Sequence, residues 1–226
     1  MTNKIIASYS GGKDSILALY LAMKNGYQPI RLITTYNSDK GRSWFHGLTD
    51  PVLDAVSESL QIPIQKIITT GDMYAENFVN ALIQLKESGA ELCVFGDIDI
   101  DEHLQWCRDR CDDAGLSALF PLLKRDRKEI VRELINAGFT ARITIVNTKL
   151  LNAKFLGEIL TYELLDEIER DGADVCGENG EYHTFVSDGP IFKNPINVKY
   201  GSKITENGYA ILPIMPATTT ATARYN

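Results

Sequence analysis

Short apolar runs alternate with amphipathic stretches along the first half of the chain. The apolar runs have the length and the β-branched content of buried strands, and the stretches between them repeat apolar residues at helical spacing. The predicted strands are Lys4–Ser8, Ile30–Thr35, Ile64–Thr69 and Glu91–Phe95. The predicted helices are Asp14–Asn25, one that begins at Thr49-Asp50-Pro51, one that is capped by Asp72 and reaches Ser88, and Asp101–Ala114. This βαβα order predicts an α/β fold with a doubly wound parallel sheet.

The pattern changes after residue 122, so we predict one part at residues 1–122 and a smaller α+β part at 123–216. Asp126 and Glu129 have the spacing of a capping box for a helix that ends at Gly138. Further predicted elements are a strand at Phe139–Val146, a helix at Thr161–Arg170 and a strand at Tyr182–Val186. Residues 217–226 hold four threonines and three alanines without apolar periodicity, which predicts a disordered tail.

The segment Ser10-Gly11-Gly12-Lys13-Asp14-Ser15 directly follows the first predicted strand. Two glycines permit a tight turn into the helix, which directs backbone N–H groups and the positive end of the helix dipole at one small volume. The two serine hydroxyls and Lys13 add donors, so the segment predicts a cradle for a phosphate or pyrophosphate, with Lys13 neutralising the leaving group. Asp14 beside an anion indicates a shared Mg²⁺ ion, and a helix-capping carboxylate is the alternative.

Two other predicted strand ends lie at the same edge of the sheet, where ligands collect in doubly wound folds. Thr34, Thr35 and Tyr36 are candidates to hold adenosine, and simple strand-end packing is the alternative. Gly96 would permit close approach and Asp97 would contact ribose or Mg²⁺. The polar loop 37–47 carries Trp44, Phe45 and His46, which indicates either a lid that binds substrate through His46 or a plug at the core edge.

A second polar cluster is Gly177-Glu178-Asn179-Gly180-Glu181-Tyr182-His183-Thr184, followed by Asp188-Gly189-Pro190. Its chemical variety exceeds what a solvated turn needs, although a turn is the alternative. Glu178, Glu181 and His183 join Lys13 and Asp14 as the candidate catalytic residues, with His183 as a general base. The candidate substrate-binding residues are Glu178, Asn179, Gly180, Glu181 and Thr184.

The first motif resembles the PP-loop of the ATP pyrophosphatase superfamily, and the two motifs together resemble the diphthine–ammonia ligase family from Lys4 to about Phe192. The resemblance implies a PP-loop domain of the HUP type, ATP with Mg²⁺, and AMP-forming amidation of an acyl-adenylate by ammonia. The family's acceptor is diphthine in translation elongation factor 2. Asn179 and His183 replace the Gly and Glu of the eukaryotic and archaeal pattern and resemble bacterial members, which do not make diphthamide, so the acceptor stays open.

Composition adds limits to this interpretation. The net charge of −7 repels phosphate backbones and argues against nucleic acid as a partner. Four unpaired-looking cysteines, no signal peptide and no membrane-length apolar run predict a cytoplasmic protein. The apolar segment Ile211–Met215 suggests a homodimer contact. The alternatives are a PP-loop tRNA-modifying enzyme, which would bring a basic region and a cysteine pair, and a non-catalytic adenine-nucleotide sensor.

Overall fold

The computed structural model describes residues 3–70 and 73–217 and has a mostly parallel sheet in its first part. The strands are β1 (Lys4–Ser8), β2 (Gln28–Asn37), β3 (Arg42–Ser43), β4 (Ile64–Ile68), β5 (Leu92–Val94) and β6 (Ser117–Leu119). The parallel strands lie in the order β4-β2-β1-β5-β6, and β3 pairs antiparallel with the end of β2. The carboxyl ends of the central strands therefore meet at one edge.

Helices cover both faces of this sheet, as the doubly wound prediction requires. They are α1 (Lys13–Lys24), α2 (Asp50–Leu60), α3 (Tyr74–Glu87) and α4 (Asp101–Ala114). Successive strand residues point to opposite faces. Ile6 accordingly belongs to the buried cluster that contains α3 and α4, whereas Ile5 and Ala7 belong to the one that contains α1 and α2. The predicted fold class is confirmed.

The second part contains two helices, α5 (Arg127–Asn136) and α6 (Tyr162–Arg170), and two antiparallel sheets. Its strands are β7 (Thr140–Asn147), β8 (Tyr182–Asp188), β9 (Val198–Tyr200), β10 (Ile204–Glu206), β11 (Tyr209–Ile211) and β12 (Ile214–Pro216). One sheet has the order β10-β11-β7-β8, and β9 pairs with β12 in a separate ribbon. This is the smaller α+β part that the sequence predicts.

The two parts pack against each other where β8 meets residues 10–15, the segment that joins β1 to α1 and is called the phosphate loop below. Val186 N–H donates to the Gly11 carbonyl at 3.0 Å, and Lys13 N–H donates to Thr184 Oγ1 at 3.0 Å. Phe139 lies edge-on against Tyr20 of α1, with ring centroids 5.5 Å apart. One cluster of buried side chains includes residues of both parts. The fold thus delivers the second polar motif to the first, while the boundary at residue 122 stays a prediction.

Only one half of the capping box predicted at the start of α5 is formed. Asp126 caps α5 by accepting the N–H of Glu129 at 2.9 Å, but the Glu129 carboxylate pairs with Arg132, so the reciprocal half of the capping box is not made. Asp14 lies in the first turn of α1, whose N-cap is Gly12. The predicted cap Asp72 and tail residues 218–226 lie outside the described residues.

The sequence also led to predictions about a membrane and about a second copy of the chain. No helix within residues 3–70 and 73–217 is long and apolar enough to cross a membrane. The segment Ile211–Met215 enters the chain's own sheets through β11 and β12, and Met215 is exposed. The homodimer stays a prediction.

Candidate functional site

The phosphate loop connects β1 to α1 and is closely covered by a neighbouring loop. Gly11 has a φ of +92°, in the left-handed region that favours glycine. A Cβ on Gly11 would come within 2.5 Å of Leu48 Cδ1, and one on Gly12 within 2.5 Å of His46 Cε1. Both glycines are therefore needed where residues 46–48 fold over the loop.

Of the loop amides of Gly11, Gly12 and Lys13, the last two already have side-chain hydrogen-bond partners. Gly12 N–H donates to Ser10 Oγ at 3.3 Å, and Lys13 N–H donates to Thr184 Oγ1 at 3.0 Å. The Ser15 hydroxyl donates to the Gly12 carbonyl at 3.0 Å. Hydrogen bonds between hydroxyl groups and the backbone of the loop therefore hold the loop in place.

Lys13 joins the two motifs. Its buried Nζ lies 2.7 Å from Asp14 Oδ2, 3.8 Å from Glu178 Oε1 and 5.7 Å from the ring centroid of Tyr182. Burial by itself lowers the pKa of Lys13, but the negative groups around it, Asp14 first among them, raise that pKa well above its usual value. Lys13 therefore keeps its positive charge.

The Glu178 carboxyl group has a different protonation behaviour. Burial raises its pKa to about 7, helped by the charge of Asp14 and opposed by Lys13. Glu178 therefore exchanges its proton near neutral pH, which is the property of a general acid or base at that pH.

Asp14, Cys176 and Glu178 form a group whose potential ligand atoms all lie within 4.8 Å of one another. The carboxylate oxygens suit Mg²⁺, which prefers hard oxygen ligands. The Cys176 sulfur lies 3.9 Å from Asp14 Oδ1, and burial raises the pKa of this thiol well above its usual value, so it stays protonated and does not suit Mg²⁺. Within this group Asp14 is the ligand that fits Mg²⁺, since Glu178 exchanges its proton near neutral pH.

Glu181, Asn179 and Gly180 shape the loop of the second motif instead of lining the cavity. The buried Glu181 carboxylate accepts the N–H groups of Asp174 at 3.2 Å and Asn179 at 3.0 Å, and the Asn179 side-chain amide at 3.1 Å. Gly180 turns the chain with a φ of +87°. The Tyr182 hydroxyl donates to the Val175 carbonyl at 2.5 Å.

A cavity of about 430 Å³ lies at the strand ends. The sequence-predicted residues that line it are Ser10, Asp14, Ser15, Thr34, Thr35, His46, Gly96, Asp97, Glu178 and His183. Tyr36 does not line it, because its ring lies 4.9 Å from the Lys66 ammonium and its hydroxyl bonds Asp50. Strand-end packing, the alternative interpretation, thus describes Tyr36.

An aromatic wall of the same cavity was missed by the sequence analysis. It consists of Tyr74 and Phe78 of α3, Phe95 after β5, and Trp106 of α4. Trp106 has its ring centroid 5.7 Å from that of Tyr74 and 5.1 Å from that of Phe78. The sequence does hold one sign of this wall, because all four residues follow the carboxyl end of strand β4 or β5 in the chain.

Gly96 and Asp97 belong to the cavity for separate reasons. A Cβ on Gly96 would lie 2.7 Å from backbone atoms of Asp14 and Ser15, so this glycine permits the close approach of β5 to the start of α1. Asp97 Oδ2 lies 3.8 Å from Cys107 Sγ, and burial raises the pKa of Asp97. The close approach predicted for Gly96 is therefore made by the protein's own backbone.

His46 and His183 are neighbours in the cavity, with ring centroids 5.0 Å apart. His46 Nδ1 lies 2.8 Å from the Thr184 carbonyl, and because a carbonyl only accepts, Nδ1 carries the ring proton. Burial lowers the pKa of His46 to about 3 and also lowers that of His183. Both rings are therefore uncharged at pH 7. His183 is a weaker base than the imidazole with an ordinary pKa that the sequence led us to expect.

Fold and site together define a nucleotide-binding α/β protein of the PP-loop type. Comparison with protein families gives the narrower class: the diphthamide synthase N-terminal domain matches residues 3–118 and the diphthamide synthase C-terminal domain matches residues 126–217. The chain belongs to the diphthamide synthase family, and the resemblance inferred from the two motifs is confirmed.

Individual relatives agree with this assignment. The chain is 27% identical to diphthine–ammonia ligase of Rattus norvegicus in an alignment 237 positions long, gaps included, which covers 93% of this chain and 88% of that protein. It is 32% identical over 142 residues to a tRNA-specific 2-thiouridylase of Rippkaea orientalis, covering 62% of this chain but 35% of that protein. A crystal structure described as a predicted subunit of tRNA methyltransferase from Methanocaldococcus jannaschii aligns with 85% of this chain and 100% of its own, at 16% identity and a TM-score of 0.44.

Proposed function

We propose that this chain is an ATP-dependent carbon–nitrogen ligase that activates a carboxylate as an acyl-adenylate and passes the acyl group to ammonia. The observation that carries the proposal is the meeting of two distant motifs, because Lys13 Nζ lies 2.7 Å from Asp14 and 3.8 Å from Glu178 beside one cavity. Family membership supplies the class of reaction, since the named relatives are diphthine–ammonia ligases.

The phosphates of ATP would bind over residues 10–15. The hydroxyl oxygens of Ser10 and Thr184 accept from the loop amides of Gly12 and Lys13, and a change of χ1 rotamer in each residue would free these amides for phosphate oxygens. The buried Lys13 ammonium stabilises the pyrophosphate as negative charge develops on it.

Adenosine would lie between the strand ends at Thr34, Thr35, Gly96 and Asp97, with its base against the aromatic wall. Trp106 and Tyr74 offer flat apolar surfaces to a nucleobase. Asp14 would hold Mg²⁺ together with phosphate oxygens, and the ion would supply additional neutralisation of the triphosphate charge.

Two substitutions make up the reaction. An oxygen of the acceptor carboxylate attacks the α-phosphorus, the bond from that phosphorus to the bridging oxygen breaks, and pyrophosphate leaves. The nitrogen of ammonia then attacks the acyl carbon, the bond to the AMP oxygen breaks, and nitrogen loses a proton. Glu178 accepts this proton, since its pKa of about 7 leaves it ionised at slightly alkaline pH, and the neutral His183, which lines the same cavity, is the second candidate acceptor.

The experiment uses the full chain with Mg²⁺-ATP, ¹⁵N-ammonium and elongation factor 2 that carries diphthine, the acceptor suggested by the relatives' name. AMP and pyrophosphate in equal amounts, with ¹⁵N in an amide of the acceptor, are expected. Lys13→Ala should abolish the product, and Lys40→Ala on the exposed loop is the matched control. Release of ADP and phosphate would refute the reaction, and ATP binding without turnover would favour the sensor.

A further inference from the structure

Arg127, at the start of α5, joins two segments that border the cavity. Its Nε and Nη2 atoms donate to the two carboxylate oxygens of Asp99 at 2.9 and 2.7 Å. Its Nη1 atom donates to Asp174 Oδ2 at 2.6 Å and to Asn179 Oδ1 at 3.2 Å. Asp99 follows Asp97 on the connection from β5 to α4, and Asp174 begins the loop before β8. One guanidinium therefore links the nucleotide-binding part to the loop of the second motif.

Asp174 passes this link on to Glu178. The same Oδ2 atom that receives Arg127 accepts the Glu178 N–H at 3.2 Å, and Asp174 Oδ1 accepts the Cys176 N–H at 2.9 Å. The Asp174 side chain is 11% exposed, so water competes weakly for these bonds. The backbone of Glu178 is thus fixed on the outer side of the loop while its carboxyl group reaches inward toward Lys13.

We infer that Arg127 is a positioning residue for the proposed ligase reaction: it clamps loop 174–181 to Asp99 and so holds Glu178 against Lys13. The inference rests on the proposed function and assigns a role to the residue that directly follows the helix cap Asp126. The side chains of the Arg127–Asp99 pair are 27% and 34% exposed, and ion pairs with such exposure add little to global stability. The clamp should matter more for the position of Glu178 than for stability, because displacement of a catalytic group by about 1 Å costs on the order of 100-fold in rate.

The test compares Arg127→Ala and Arg127→Lys with Arg132→Ala, a matched arginine on the same helix that pairs with Glu129. The full chain is assayed with diphthine-bearing elongation factor 2 and ¹⁵N-ammonium, and kcat is separated from the KM for ATP. Hydrogen exchange is followed at the amides of Cys176, Glu178 and Asn179. Guanidinium ion is added at about 20 mM to each variant to replace the lost side chain.

For Arg127→Ala we expect kcat to fall about 10- to 100-fold, while the KM for ATP stays within about threefold because the phosphate loop is unchanged. Exchange at loop 174–181 should become faster, and guanidinium should restore part of the rate. Arg127→Lys should recover little, since a point charge does not bridge Asp99 and Asp174 as a planar fork does. Arg132→Ala should match the wild type.

An unchanged kcat in Arg127→Ala, a loss that lies in KM alone, or unchanged loop exchange would overturn the positioning role. A wild-type chain that forms no AMP would refute the proposed function instead, and the exchange measurement would still decide whether the clamp exists. If Arg127→Ala does not fold, Asp99→Asn tests the far side of the clamp. It should lower kcat without rescue by guanidinium, and full activity in Asp99→Asn would overturn the inference.

Discussion

Replacement of Glu178 by glutamine should stabilise the fold while it removes activity. Burial holds the pKa of Glu178 at about 7, whereas the ordinary value is 4.5. Between these two values the native state keeps a proton that the unfolded chain has lost, so the stability of the wild type falls as the pH rises through this window. The full cost of ionising the buried carboxyl is about 3 kcal/mol above neutral pH.

Glutamine keeps the shape of the side chain and cannot ionise. The gain in unfolding free energy of Glu178→Gln over the wild type should therefore increase by about 2 kcal/mol between about pH 5 and about pH 8. Urea titrations at the two pH values measure this difference. Glu206→Gln on the exposed strand β10 is the surface control for the same change of side chain.

The same carboxyl group predicts the pH dependence of the reaction. If Glu178 takes the proton from nitrogen, kcat should rise with pH through about pH 7, and Glu178→Gln should lose both the rate and this limb of the profile. A stability gain of equal size at both pH values would show that Glu178 is not held protonated by burial. A retained limb in the variant would assign the limb to another group.

Three further changes test other parts of the site. Lys13→Met should lower ATP turnover at least about 100-fold, measured as pyrophosphate release, because it removes the buried cation beside the leaving group; turnover within threefold of the wild type would contradict that role. Gly96→Ala should destabilise the protein by about 2 kcal/mol or more in urea, since its Cβ would lie 2.7 Å from the backbone of α1; Gly201→Ala, whose Cβ would come no nearer than 3.4 Å to a neighbouring side chain, is the milder control. Trp106→Ala should raise the KM for ATP about 10-fold through loss of base stacking, with a small change in kcat; an unchanged KM would place the base elsewhere.

Features that depend on neighbouring residues in the chain could be predicted from the sequence. The phosphate loop follows a strand and precedes a helix, and α5 begins at the predicted cap Asp126. The strand β6 was missed because three residues, Ser117–Leu119, are too few to show a period. The antiparallel partners of β7 and the site itself depend on contacts across more than 30 residues, which spacing does not reveal.

Roles within the site were harder to predict than its location. Glu181 and Glu178 look alike in sequence. In the folded loop, however, the Glu181 carboxylate accepts hydrogen bonds from backbone N–H groups, whereas the Glu178 carboxyl group faces Lys13. The ordinary pKa of His183 could be known from its type, whereas its lowering depends on burial. The aromatic wall joins two helices, so no local motif marks Trp106 or Tyr74.

The contact between β8 and the phosphate loop means that neither half of the chain contains the whole candidate site. Thr184 accepts the Lys13 amide with its hydroxyl and holds His46 with its carbonyl, so one residue from the second half orders two segments of the first. A chain cut between β6 and α5 should therefore regain nucleotide cleavage only when both fragments are mixed and reassociate.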